Sequence, residues 1–88
     1  MEIQKGRVYR HFKGDYYIVL DFATNNENDQ KYVIYKALYG EGQLYIRSYD
    51  DFASLVNSEK YPHITQQYKF ELQEIKSING DHLWLILY

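Results

Sequence analysis

The sequence predicts a mainly β domain, a small, partly open SH3-like barrel with one short helix and a C-terminal hairpin. Three observations predict it. Apolar and aromatic residues recur at every second position through most of the chain. The glycines fall at reversals of that alternation, and the only helical periodicity is one short segment near Phe52.

The elements follow in order. Arg7 to Phe12 alternates, with Val8, Arg10 and Phe12 on one side and Arg7, Tyr9 and His11 on the other; this is a strand that buries one face. Lys13-Gly14-Asp15 reverses the chain into a second strand, Tyr16 to Ala23, expected to place Tyr16, Ile18, Leu20 and Phe22 inward. Thr24 to Gln30 is wholly polar and reads as a mobile loop or a long hairpin tip. A third strand runs from Lys31 to about Leu38. Gly40-Glu41-Gly42 supplies the next turn, and Leu44 to Tyr49 forms the fourth strand.

Asp50 or Asp51 is expected to cap a helix in which Phe52, Leu55 and Val56 share one side before Asn57-Ser58 ends it. Ser58 to Gln67, which contains the single proline, is an irregular connector, and Tyr68, Phe70 and Leu72 alternate as a strand. Asn79-Gly80 predicts a tight hairpin between about Glu74 to Ile78 and Asp81 to Tyr88. The sum is about six or seven short strands and one small helix in a single domain over residues 1–88.

Composition narrows the function. Ten Lys and Arg against 12 Asp and Glu give a net charge of -2, so no long-range positive field draws the chain to duplex nucleic acid. Without cysteine there is no disulfide framework, thiolate zinc site or cysteine nucleophile. No apolar segment follows the N-terminus, and the longest apolar run, Leu83 to Tyr88, is far shorter than the roughly 20 residues of a membrane span. A cytoplasmic, soluble protein with no membrane partner is the expectation.

Eleven tyrosines in 88 residues place a flat ring with a polar tip at one position in eight. His11, His63 and His82 lie at no spacing that sets two metal ligands on one turn, so neither a metal nor another cofactor is expected. There is no Gly-x-Ser-x-Gly elbow, and Gly40-x-Gly42 lacks the third glycine and following helix of a dinucleotide site. Asp50-Asp51 reads as helix capping and Glu27 to Asp29 as a solvated loop.

What remains is a face. Arg7, Tyr9, His11 and Lys13 share one parity with Tyr17, Tyr35, Tyr45, Arg47 and Tyr49 on neighbouring strands, a set that offers stacking planes and forked donors. The same set also reads as a tyrosine-covered surface of purely structural meaning. Arg10 falls among apolar neighbours and is either a structural ion pair, with Glu41 or Asp21 as partner, or the base of an anion pocket.

The motifs Tyr9-Arg10-His11-Phe12-Lys13-Gly14 followed by Tyr16-Tyr17, then Tyr35-x-Ala37-Leu38-Tyr39-Gly40, then Tyr45, Ile46 and Arg47 resemble the bacterial and phage domain of unknown function 1653. The resemblance covers roughly Lys5 to Ile64. It implies a small β-rich domain and no particular activity. The family tends to carry His-Ser-Glu where this chain has Asn25-Asn26-Glu27, and Trp and Pro where it has Tyr45 and Ser48. The segment from about Leu72 onward lies beyond the family pattern, so the hairpin of about residues 72–88 reads as an addition.

The leading expectation is a non-enzymatic binding module for a small anionic or aromatic ligand such as a nucleotide, which it sequesters. Tyr39 and Tyr45 would stack, Arg10, Lys13 and Arg47 would pair charge, and His11 would donate a hydrogen bond. The terminal run Leu83, Trp84, Leu85, Ile86 and Leu87 is apolar at both parities and suits a homo-oligomer contact. One rival is an SH3-like adaptor gripping a host protein with its tyrosine face. Another is a small hydrolase using His11 with Asp15 or Glu41.

Overall fold

The computed structural model describes residues 1–75. Five antiparallel strands, β1 (Val8–His11), β2 (Tyr16–Asn25), β3 (Gln30–Ala37), β4 (Leu44–Ser48) and β5 (Phe70–Leu72), form one sheet in the order β4-β3-β2-β1-β5. A single helical turn, α1 (Tyr49–Phe52), follows β4. The protein is therefore mainly β as expected. Its sheet is open rather than a closed barrel, with β4 and β5 at opposite edges. Residues 76–88, which carry most of the expected C-terminal hairpin and the Leu83 to Leu87 contact, lie outside the described residues.

Both long hairpins are made by local chemistry. Gly14 adopts φ 115°, where a side chain is strained, and its N–H donates to the His11 carbonyl to close the β1–β2 turn. The polar stretch after Ala23 takes the second of its two expected forms, a hairpin tip: β2 runs to Asn25, β3 starts at Gln30, and Asn25 accepts from the N–H of Asn28 and Asp29. The Asn25 side chain accepts a further bond from Glu27, the Asx-turn habit that lets polar residues build a turn without a core.

The expected parity of β2 is corrected by a bulge. Val19 pairs with Tyr35, but Asp21 pairs with Ile34, so Leu20 is an extra residue and the alternation slips by one. Tyr17, Val19 and Phe22 thus share the face of Tyr9, Val33 and Tyr35, while Tyr16 and Leu20 are exposed. A single sequence shows period but not the slip, which is why Phe22 is read with the wrong set.

The core lies on that tyrosine face. Ile3, Tyr9, Val19, Val33, Tyr35, Phe52 and Phe70 form one buried cluster. Phe52 and Phe70 stack at 3.9 Å between centroids, and Tyr9 and Tyr35 meet Phe52 edge-on at 5.5 and 5.4 Å. Tyr9 is fully buried, so its hydroxyl needs a partner, and it accepts from the N–H of Gln4 at 2.9 Å.

α1 is shorter than its periodicity suggests. Ser48, not Asp50 or Asp51, caps it by accepting from the Asp51 N–H at 3.2 Å, and the turn ends at Phe52. Leu55 leaves the helix to bridge Tyr68 and is exposed. That bridge draws the connector back toward the sheet, and β5 then pairs with β1 in the register His11 to Phe70 and Tyr9 to Leu72.

Candidate anion-binding cleft

β4 and α1 fix the first cation. Arg47 follows three exposed residues of β4, and Asp51 stands four residues on, so helical continuation brings the two together at 2.7 Å between Nη1 and Oδ2. The Arg47 Nε donates to the Tyr35 hydroxyl at 3.1 Å, and its guanidinium lies 5.1 Å from the Phe70 ring centroid. Burial works against the charge of Arg47, but the bonds to Tyr35 and Asp51 outweigh it and hold the pKa above its ordinary value.

Lys69, the residue before β5, reaches the other Asp51 oxygen at 2.7 Å. Asp51 is accordingly held below the usual carboxylate range, first by its bond to Lys69 and then by Arg47, against an opposing effect of burial. One carboxylate thus orients two cations that come from strands at opposite sides of the sheet.

The rest of the site comes from the β1–β2 turn and the connector. His11, Phe12, Lys13, Arg47, Asn57, Lys60, Tyr61 and Lys69 line an open cleft of about 350 Å³. Asn57 shapes the connector there, since its side chain accepts from the N–H of Glu59 and Lys60 and its carbonyl accepts from Tyr61. The Phe12 and Tyr61 rings meet at 4.9 Å, and the ammonium groups of Lys13 and Lys60 lie 5.9 and 5.5 Å from the Tyr61 ring.

His11 contributes a defined donor. Its Nδ1 accepts from the Lys13 N–H at 3.1 Å, which leaves the proton of the neutral ring on Nε2. Burial and the charges of Arg47 and Lys13 push its pKa below the ordinary value, with Asp15 opposing, so the ring is neutral near pH 7. Among the described residues no carboxylate oxygen bonds the imidazole: Asp15 meets His11 through the backbone, its carbonyl accepting from the His11 N–H at 2.8 Å.

Of the six residues singled out from sequence, the structure brings three, His11, Lys13 and Arg47, to this cleft. Tyr39 and Tyr45 sit beside it in a second cluster: the Tyr39 and Tyr17 hydroxyls are 2.8 Å apart, and the Tyr45 ring lies 5.6 Å from that of Tyr35. Burial, followed by the bond to Tyr39, raises the Tyr17 pKa. Arg47 links cluster and cleft through Tyr35.

Arg10 has the opposite parity. It donates to the Gln66 side-chain oxygen at 2.8 Å, and the Gln66 amide returns a bond to the Arg10 carbonyl at 3.0 Å. Its side-chain partner is this amide and neither Glu41 nor Asp21; Asp21 pairs instead with Lys5 at 3.0 Å. A half-buried arginine satisfied by an amide avoids the cost of bringing a second charge out of water.

Sequence reasoning missed Phe12, Asn57, Lys60, Tyr61 and Lys69 as residues of the cleft. Lys60-Tyr61 repeats the cation-beside-ring pairing of Phe12-Lys13, a signal that a connector without periodicity conceals. Among the described residues no cluster of three His, Cys, Asp or Glu is placed to hold a metal ion, and no helix is long and apolar enough to cross a membrane.

Comparison with known proteins adds a family and no activity. The family model described as protein of unknown function DUF1653 matches residues 7–72. A crystal structure of a protein of that family from Bordetella bronchiseptica is similar at a TM-score of 0.68 and 26% identity, covering 86% of this chain and 94% of that one. No curated protein matches. With both cleft-forming strand pairs inside the matched range, the chain belongs to the family of unknown function DUF1653.

Proposed function

We propose that this protein is a non-enzymatic module that binds a small phosphate-bearing ligand, such as a nucleotide, in the cleft between the β1–β2 turn and the connector. The observation that carries the reading is charge placement. A chain of net charge -2 gathers four of its ten cationic residues, Lys13, Arg47, Lys60 and Lys69, around one cleft. Asp51 occupies Arg47 and Lys69, while Lys13 and Lys60 have no carboxylate within ion-pair distance among the described residues.

Two free ammonium groups and a neutral imidazole Nε2–H are donors of the kind that phosphate oxygens accept, and Arg47, held by Tyr35 and Asp51, adds positive charge beside them. Phe12 and Tyr61 supply aromatic surface at the same rim for a base. The volume of about 350 Å³ suits a small ligand. The exposed Tyr39 and Tyr45 support a second reading, an adaptor that holds a peptide along the tyrosine cluster.

Native mass spectrometry of the protein purified from cells separates them. A few hundred daltons of adduct, on the order of a drug-sized ligand and released on denaturation, supports the cleft reading. A stoichiometric protein partner with no small adduct favours the adaptor.

A further inference from the structure

The two edges of the sheet are defended differently. β5 presents Glu71 at its centre, so a second β5 paired about that residue would set like charges side by side. β4 has no such device. Leu44-Tyr45-Ile46-Arg47-Ser48 contains no lysine or proline, its register against β3 is unbroken, and Asp51 neutralises its single charge. Leu44 and Ile46 are 57% and 69% exposed.

The outward backbone of β4 is bare as well. The Ala37 N–H donates to the Gln43 carbonyl at 2.9 Å, one step beyond the pair of Lys36 with Leu44. Bonded and non-bonded pairs alternate along an antiparallel ladder, so Gln43, Tyr45 and Arg47 turn their N–H and C=O groups toward β3. Leu44 and Ile46 turn theirs away from the sheet. Among the described residues no hydrogen bond reaches those outward groups.

We propose that this edge joins a second copy of the chain, the two β4 strands running antiparallel about a two-fold axis at Ile46. The order of residues along β4 selects that partner, because the strand complements itself in this register. Ile46 meets its own counterpart as a hydrogen-bonded pair and Leu44 faces Ser48, so the apolar row of Ile34 and Ile46 runs on from one sheet into the next. On the other face Tyr45 meets Arg47 twice, in the closer non-bonded pairs, each time a ring beside a cationic side chain. No like charges are opposed. So short a contact sits at the low end of interface sizes, and the association is therefore reversible and grows with concentration.

The chain has no cysteine, so single cysteines report the register in the full-length protein. The Cα atoms of a bonded pair lie about 5.5 Å apart, within disulfide reach, whereas two copies of Leu44 are offset by about 13 Å along the strands. Under mild oxidation Ile46→Cys should cross-link severalfold faster than Leu44→Cys, and faster than Leu55→Cys, an equally exposed position in the connector. Sedimentation velocity should show dimer rising with concentration. Ile46→Lys, which sets two ammonium groups together on the axis, should weaken the dimer roughly tenfold or more at an unchanged melting temperature. A chain that stays monomeric up to millimolar concentration, a dimer indifferent to Ile46→Lys, or cysteines that cross-link at equal rates overturns the proposal. So does an Ile46 amide protected from exchange in the dilute monomer, which would assign the edge to cover by its own chain.

Discussion

The Asp51 carboxylate lies 2.7 Å from Arg47 Nη1, and the same group holds Lys69 at 2.7 Å through its second oxygen. This clamp ties β4 and α1 to the start of β5. Its partners hold the Asp51 pKa below the ordinary value. A carboxyl with a lowered folded-state pKa stabilises the fold above its unfolded value, about 3.9, and that stability is lost as pH falls through the folded value. Asp51→Asn should therefore melt below the parent protein at neutral pH, and the gap should narrow in acid; a constant gap in melts across that range would contradict the clamp.

His11 should titrate below an ordinary histidine because burial and neighbouring Arg47 and Lys13 disfavour its charged form. With the folded pKa depressed, its contribution to stability is present above about 6.5 and is lost as pH falls through the folded value. Two-dimensional NMR of the imidazole should show a depressed midpoint with the proton on Nε2. A bound anion near the ring should raise that midpoint.

Phe52→Ala removes the ring that stacks on Phe70 and meets Tyr9 and Tyr35. Loss of so buried a side chain costs about 3–5 kcal/mol, a large part of the about 5–15 kcal/mol that holds a domain of this kind. Urea denaturation should report that loss as a lowered midpoint.

Gly42 has φ 70°, and a methyl there would strike the Lys36 ammonium that donates to the Gly42 carbonyl at 2.7 Å. Gly42→Ala should cost about 1–2 kcal/mol through the left-handed backbone alone. Gly40→Ala meets no neighbour within 4 Å and should pay only the backbone term at its φ of 56°. Thermal melts of the two variants, with Gly42→Ala the less stable, check the difference.

Most of the strand pattern was legible because hairpins are local: each pairing of β1 with β2, β2 with β3 and β3 with β4 joins neighbours in sequence. Tyr9, His11, Tyr17, Tyr35, Tyr45 and Arg47 do share one face, as their parity indicates. That face proved to be the core side, since nothing in a parity count says that Phe52 and Phe70 will land on it. Lys69 and the Lys60-Tyr61 pair reach the cleft through a return of the chain from α1 to β5, a long-range event marked by the Leu55 to Tyr68 bridge and by no periodicity. The bulge at Leu20 was hidden for a related reason, being visible only against a partner strand.

In the proposed function the Lys13 and Lys60 ammonium groups grip a phosphate-bearing ligand. Calorimetric titration of the full chain with inorganic pyrophosphate and with ATP, against the Lys13→Ala/Lys60→Ala double variant, tests it most directly. Both residues are exposed, so the variant should melt as the parent does. Each lost contact is worth about 0.7 kcal/mol, and affinity should fall roughly tenfold, more steeply in low salt. Equal affinity in parent and variant, or no heat with either ligand, would contradict the account.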